Sequence, residues 1–355
     1  MVSVSGGGAV GTATYEESVK ISAIPAKPGF QAFTAGAYSA DGIKTTQAGS
    51  HPYLATSAIF ANTFVNAKGA VVPVGDPRTI DVDLPAGFLG NPVASPTCPE
   101  GVEDIKCPLP SQIGLAQPVL ASFGETGNPV PVHNVLAPVG YPGKFTFEAL
   151  NLFKINALGI LRSDEDYGIS VTSFNTPQVI DALYGVFFTF WGAPEDPSHN
   201  AQRCTVVEPA SGCGAGSPEN TAFLTMPTDC ALETEQLPFA TLKLDTWQSL
   251  GEFSEATIPV PVTTGCDQLN FAGKFDFQPV GEAKASTPTP FSTEIVVPSE
   301  GLTDPSTLTT PELKKVVAVL PEGLALDPSA ADGLNACSKA QIGLLGTSFA
   351  LPNPM

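Results

Sequence analysis

Three groups of side chains in this chain have the types and spacing to do chemistry. The first is Glu195-Asp196-Pro197-Ser198-His199, where Asp196 and His199 could ligate a metal or act as a base and its orienter. A simpler account has Asp196 capping a Pro-Ser turn and His199 bonding locally, and the sequence favours it. The second is Asp164-Glu165-Asp166, three carboxylates in one hairpin turn that could attract calcium. The spacing of an EF-hand loop is missing, so a solvated acidic turn is expected. The third is Asp81 and Asp83, two carboxylates on one strand face in the manner of an acid-base pair.

Weaker signals accompany these. Adjacent Ser50 and His51 cannot form a triad unaided, and no G-x-S-x-G elbow occurs. Gly6-Gly7-Gly8-Ala9-Val10-Gly11 lacks both the preceding strand and the Lys-Ser/Thr of a phosphate loop. Trp191, Trp247, Tyr141 and Phe190 could stack on sugar rings if exposed in line, although such rings usually serve the core, where each buries roughly 150–250 Å². No catalytic or cofactor-binding set assembles from these residues. Asp164, Asp166, Asp196 and His199 stand as weak metal candidates, and Trp191 and Trp247 as candidates for ligand stacking.

The seven cysteines carry more information. Cys98 and Cys107 have the same separation as Cys204 and Cys213, while Cys230 and Cys266 bracket a two-strand segment. Zinc sites place thiolates about two to four residues apart, and the three histidines are scattered. Three disulfides in an oxidising compartment are therefore expected. The loop-entropy model gives about 2–3 kcal/mol for each short bridge and about 4 kcal/mol for the long one. Cys337 is left over, and its mate is expected beyond Met355.

The elements that position these residues are short strands. Ile80, Val82 and Leu84 alternate with Thr79, Asp81 and Asp83, and Pro85 ends the strand. Gly (34) and Pro (35) make up about a fifth of the 355 residues, which suits turns between strands without reaching the level that argues for disorder. Residues 184–191 are apolar on both faces, Tyr184, Val186, Phe188 and Phe190 against Phe187 and Trp191, and read as a covered central strand.

Much of one stretch recurs. Leu84-Pro85-x-Gly87 returns as Leu320-Pro321-x-Gly323, Pro92 as Pro328, and Thr56-Ser57-x-Ile59-Phe60 as Ser292-Thr293-x-Ile295-Val296, all in one register. Gln112-Ile113-Gly114-Leu115 returns as Gln341-Ile342-Gly343-Leu344 after a short deletion. A shared register of this length reads as duplication. Asp81, Asp83 and His51 become Val317, Val319 and Thr287, so the copied element does not need reactive groups.

The motif in residues 320–344, with residues 47–53 and 191–204, resembles a group of large, secreted repeat proteins of high-GC Gram-positive bacteria. The likeness runs from about residue 29 onward. It implies export and tandem modularity, with the repeat continuing past residue 355, and it implies no activity or binding residue. The expected fold is all-β, built of tandem antiparallel β-sandwich modules of Ig-like or jelly-roll-like form. The expected parse is a flexible lead-in at 1–28, a type-A sandwich at 29–96, a type-B sandwich at 97–213, a second type A at 214–335, and the start of another type B at 336–355. A discontinuous alternative inserts the type-B block into a single type A.

Charge narrows the partners. With 35 acids, 16 bases and no Lys/Arg cluster, the net charge is −19, and the footprint of a nucleic-acid binder is missing. No apolar run approaches the roughly 20 residues of a membrane helix, so no membrane insertion is expected. The first twenty residues have neither the basic nor the apolar region of a signal peptide, so the chain reads as an internal piece of a longer exported protein. The expectation is a non-catalytic structural or adhesive repeat protein, extracellular or at the cell surface, without cofactor, meeting an extracellular protein or glycan. The alternative is a glycan-binding module or an accessory domain of a polysaccharide-active protein. Peptide mapping without reduction should recover Cys98–Cys107, Cys204–Cys213 and Cys230–Cys266 as linked pairs, and a scrambled or free set would refute the spacing argument.

Overall fold

The computed structural model describes residues 2–8, 11–16, 18, 27–99, 107–120, 127–149, 153–162, 166–178, 183–203, 220–230, 239–313 and 315–325, with isolated positions to 335. Alternating apolar residues interrupted by Gly and Pro produce strands, and eleven of them join one antiparallel sheet. These are β1 (Phe30–Tyr38), β2 (Leu54–Ala61), β3 (Pro77–Asp83), β4 (Gln112–Leu120), β5 (Val130–Val135) and β6 (Gly143–Ala149), then β7 (Phe153–Leu161), β8 (Ile169–Ser173), β9 (Leu183–Trp191), β10 (Phe239–Thr246) and β11 (Ser249–Pro259). Their spatial order is β11-β10-β3-β8-β7-β6-β5-β4-β9-β2-β1. Asn200–Arg203 forms the one α-helix among the described residues.

The all-β expectation holds, but in place of separate sandwiches one sheet runs through all three predicted segments. β3 pairs with β8 on one side and β10 on the other, so that Val82 lies between Val171 and Leu242. The block β4 to β9 sits between β2 and β3 in the sheet. The sheet curls until its edges meet: Ser254 on β11 donates to the Pro28 carbonyl at 2.9 Å, beside the start of β1. The result is a nearly closed barrel. Hydrophobic alternation assigns each side chain to a face but not the partner of each strand edge, which is why a barrel and a sandwich read alike in the sequence.

Faces are assigned as the alternation predicts. Ile80, Val82 and Leu84 line the interior, while Asp81 faces Thr172 and Lys243 on the outer side. One expectation needs correction. A register shift between Leu183 and Gly185 turns Tyr184 outward, where it meets Phe60 at 6.3 Å, and Phe187, also against Phe60, is 37% exposed, so the strand is not covered on both faces. Val186, Phe188 and Phe190 point inward, so β9 is an interior strand of the sheet flanked by β4 and β2. Gly114 is required where β4 crosses β9, because a Cβ there would overlap the Thr189 carbonyl.

The duplicated stretch repeats its local geometry. Phe88 N–H donates to the Pro85 carbonyl at 3.0 Å across Gly87, and Leu324 N–H donates to the Pro321 carbonyl at 3.1 Å across Gly323, with φ of 80° and 88° at the two glycines. Asn91 Oδ1 accepts from Val93 N–H at 3.2 Å, as Asp327 Oδ1 accepts from Ser329 N–H at 2.9 Å. Ile59 pairs with Phe33 in the β1–β2 hairpin, and its counterpart Ile295 pairs with Phe275, which does not correspond to Phe33 in that register, in the hairpin of β12 (Lys274–Pro279) and β13 (Phe291–Val296).

Surroundings differ. Phe33 and Ile59 are 8% and 4% exposed in the barrel wall, while Phe275 and Ile295 are 56% and 47% exposed in a two-stranded sheet outside it. The expected strand at 316–320 is not formed, and Val316, Val317 and Val319 are exposed. The copy therefore reproduces turns and a hairpin, without a barrel to bury them. Ile59→Ala should lower the unfolding free energy by about 2–5 kcal/mol, as for a buried aliphatic, and Ile295→Ala by under about 0.5 kcal/mol. Equal losses in denaturant melts would show that the second copy is packed in solution.

Candidate functional site

The outer wall of the barrel holds a polar ladder built by β3, β8 and β10. Asp81, 3% exposed, accepts from Thr172 at 2.5 Å, and burial raises its pKa above the usual carboxylate range. Asp83 accepts from Ser170 and pairs with Lys243 at 2.8 Å. Burial opposes the charge on Lys243, but the hydrogen bond and the charge of Asp83 outweigh it and raise its pKa. Asp245, 1% exposed, accepts from Thr79 N–H and Gly251 N–H at 2.9 Å and from Arg78 at 3.1 Å. The Asp81–Asp83 pair thus knits three strands together and is committed to that task.

Arg162, which the sequence did not single out, closes one end. Its guanidinium grips Asp166 with two hydrogen bonds of 2.7 and 2.9 Å and reaches the Leu84 and Ile169 carbonyls at 2.8 Å. The hydrogen bond from Arg162 holds Asp166 below the usual carboxylate range. Asp166 is therefore a clamp between a hairpin and the end of β3. Asp164 and Glu165 lie outside the described residues. No group of three His, Cys, Asp or Glu with metal-binding spacing occurs among the described residues.

Asp196 caps the turn Pro197–His199, accepting from Ser198 N–H at 2.8 Å and from Asn220 at 2.9 Å. His199 is stacked between Tyr53 and Trp191, with ring centroids 4.7 Å apart on both sides, and the Arg203 guanidinium lies over the Trp191 ring at 4.8 Å from its centroid. Burial lowers the His199 pKa to about 4. Trp191 is 0% exposed, which corrects its assignment to ligand stacking: the ring is consumed in packing the helix Asn200–Arg203 onto the barrel. Trp247 is half-buried, donates to the Thr176 carbonyl at 2.9 Å, and has Arg78 over its ring at 5.4 Å. His51 is likewise structural, with its two ring nitrogens 2.9 and 2.7 Å from the Leu224 and Gly301 carbonyls.

Two of the expected disulfides are present, Cys98–Cys107 and Cys230–Cys266. The first packs with Val135 at the end of β5. Cys204, Cys213 and Cys337 lie outside the described residues. Two disulfides are compatible with an extracellular location. No helix among the described residues is long and apolar enough to cross a membrane.

Apart from these polar groups, the barrel interior is unassigned. It encloses a cavity of about 610 Å³. Val82, Phe145, Ile155, Val171, Phe188 and Phe190 give it an apolar wall. The space exists because eleven strands enclose more volume than their inward side chains fill. Several inward positions are small, among them Ala55, Ser57, Gly143, Ala157 and Gly159. That run of small residues at inward positions was the available sequence signal, readable only once the strands are known to close a barrel. Among the described residues, no Lys, Arg or His lines the cavity. A nearly closed, disulfide-stapled antiparallel barrel with an apolar interior is the class that fold and site define. Comparison of the chain with protein-family models, curated proteins and solved structures finds no match.

His133 generates a pH prediction. Ser111 Oγ donates to the Pro108 carbonyl at 2.7 Å and so accepts from His133 Nδ1–H at 2.9 Å. Burial, with a smaller push from Lys154, lowers its pKa from 6.5 to about 4. The unfolded chain then binds the proton first, so stability falls as pH drops from about 6.5 towards 4. Between pH 7 and pH 5 the His133 share is about 2 kcal/mol. Urea melts of His133→Gln should show a pH 7 to pH 5 loss smaller by that amount, and an unchanged loss would remove His133 from the account.

Proposed function

We propose that this is an exported, non-catalytic binding protein that receives an apolar molecule inside its barrel. The observation that carries the reading is the cavity of about 610 Å³ with its aromatic and aliphatic wall. Ligand sites are typically concave, mostly apolar and roughly 300–1,000 Å³ in volume, and barrel interiors are a preferred place for them. What supports a non-catalytic role is the engagement of the four described carboxylate candidates and the burial of His199 between Tyr53 and Trp191. Asp81, Asp83, Asp166 and Asp196 are each held by hydrogen bonds or ion pairs that build the fold.

A structural or adhesive role at the cell surface is a second reading, favoured by the duplicated turns at Gly87 and Gly323 and by the separate β12–β13 hairpin. It is compatible with the first, since a barrel in a surface array can also carry a ligand. The glycan-binding alternative draws less support, because Trp191 is buried and Arg78 covers Trp247.

Binding of Nile red, a neutral dye whose emission rises in apolar surroundings, tests the proposal. Saturable enhancement with one site per chain is expected. Ala157→Trp places an indole among Phe145, Ile155 and Val171 and should abolish the enhancement while the melting transition persists. No enhancement with folded wild-type protein, or full enhancement with the tryptophan variant, would refute the barrel as the site.

A further inference from the structure

We propose that the ligand enters and leaves the barrel sideways, through the seam where the two edge strands β1 and β11 face each other. This rests on the reading of the barrel as a binding site. Ten antiparallel pairings join the eleven strands, so the two outermost run in the same direction. An odd-numbered sheet of this kind can close only through a parallel junction, whose slanted hydrogen bonds need a register of their own. The chain makes that junction at two points. At the start of β1, Ser254 Oγ donates to the Pro28 carbonyl at 2.9 Å. Beyond the far ends of both strands, Gln47 and Thr264 form a parallel bridge, in which Thr264 N–H donates to the Thr46 carbonyl and Ala48 N–H to the Thr264 carbonyl, each at 2.8 Å. The Cys230–Cys266 disulfide follows that bridge closely in the chain.

Between these two pins, no backbone hydrogen bond joins residues 30–45 to residues 255–263. Every other junction in the sheet is a hydrogen-bonded ladder, and parting it would break that run of bonds. Parting the seam along this length breaks none of them, which makes it the stretch of wall that opens at the lowest cost. The cavity runs up to the same place. Its lining includes Ala35, Gly36 and Ala37 on one flank of the seam, and Val260, Pro261 and Val262, on the segment continuing β11, on the other. All six are half-buried, and none carries a charged or hydrogen-bonding side chain. An apolar molecule passing between them therefore strips no polar side chain of its water. The pins confine the opening to the stretch between them.

The test is stopped-flow binding of Nile red to the full chain with the seam stapled. Thr34 on β1 and Thr257 on β11 are exposed on its two flanks. The Thr34→Cys/Thr257→Cys variant, in a Cys337→Ser background, is linked across the seam with a short bis-maleimide. Both threonines are exposed, so the unlinked variant serves as the folded control. Linking should slow association and dissociation alike by about tenfold or more, as when binding waits on a conformational change. The equilibrium affinity should stay the same, because a blocked route delays both directions equally. Rates unchanged by the link, or slower association with unchanged dissociation, would overturn the seam as the route while leaving the barrel site intact. Nile red failing to bind the wild-type chain at all would instead overturn the site itself.

Discussion

The structure depends on β3 being hydrogen-bonded on both edges to strands from distant parts of the chain. Val82 on its inner face touches the rows of Val171 and Leu242, and Asp81 on its outer face is flanked by Thr172 and Lys243. Interior burial and an exterior polar ladder are thereby coupled through one strand seven residues long. The buried Asp81 carboxyl is tolerated because Thr172 supplies a hydrogen bond, and Asp83 is paired with Lys243 at 2.8 Å and Arg162 at 3.6 Å. Burying such groups unpaired would destabilise the sheet by several kcal/mol. The ladder therefore acts as a register lock: a one-residue slip would send carboxylates into the apolar interior.

Closure of this sheet explains the cavity without any special device. Inward rows run Ile80, Val82 and Leu84 on β3 and its end, Phe188 and Phe190 on β9, and small residues on β2 and β7. In a narrower barrel such an arrangement packs solid. With eleven strands the same arrangement leaves room for a ligand-sized space. The aromatic pairs Phe147–Phe188 at 5.4 Å and Phe145–Phe190 at 6.1 Å hold the larger side chains in place across the interior.

The duplicated stretch separates local from tertiary determinants. A Pro-x-Gly turn with a left-handed glycine, an Asx turn two residues in span and a Phe–Ile cross-strand pair form twice. Each depends only on neighbours within one hairpin or turn. The strand that follows in the first copy, β3, has no equivalent at 316–320. A strand needs partners for its N–H and C=O groups, and in the first copy β8 and β10 provide them.

By itself, the chain's residue order determined the β class, the faces of β3, the two described disulfides, the capping role of Asp196 and the recurring Pro-x-Gly turn. All of these are set by interactions of short range or by an alternation of period two. Only the tertiary structure decided that the strands close one barrel, that Trp191 is buried against His199 and Arg203, and that the interior keeps an apolar cavity. Those outcomes depend on which strand edges meet across separations of up to about two hundred residues, as where Ser254 reaches Pro28. Backbone hydrogen bonding is the same for every candidate pair of edges, so the choice rests on collective packing that no local pattern records.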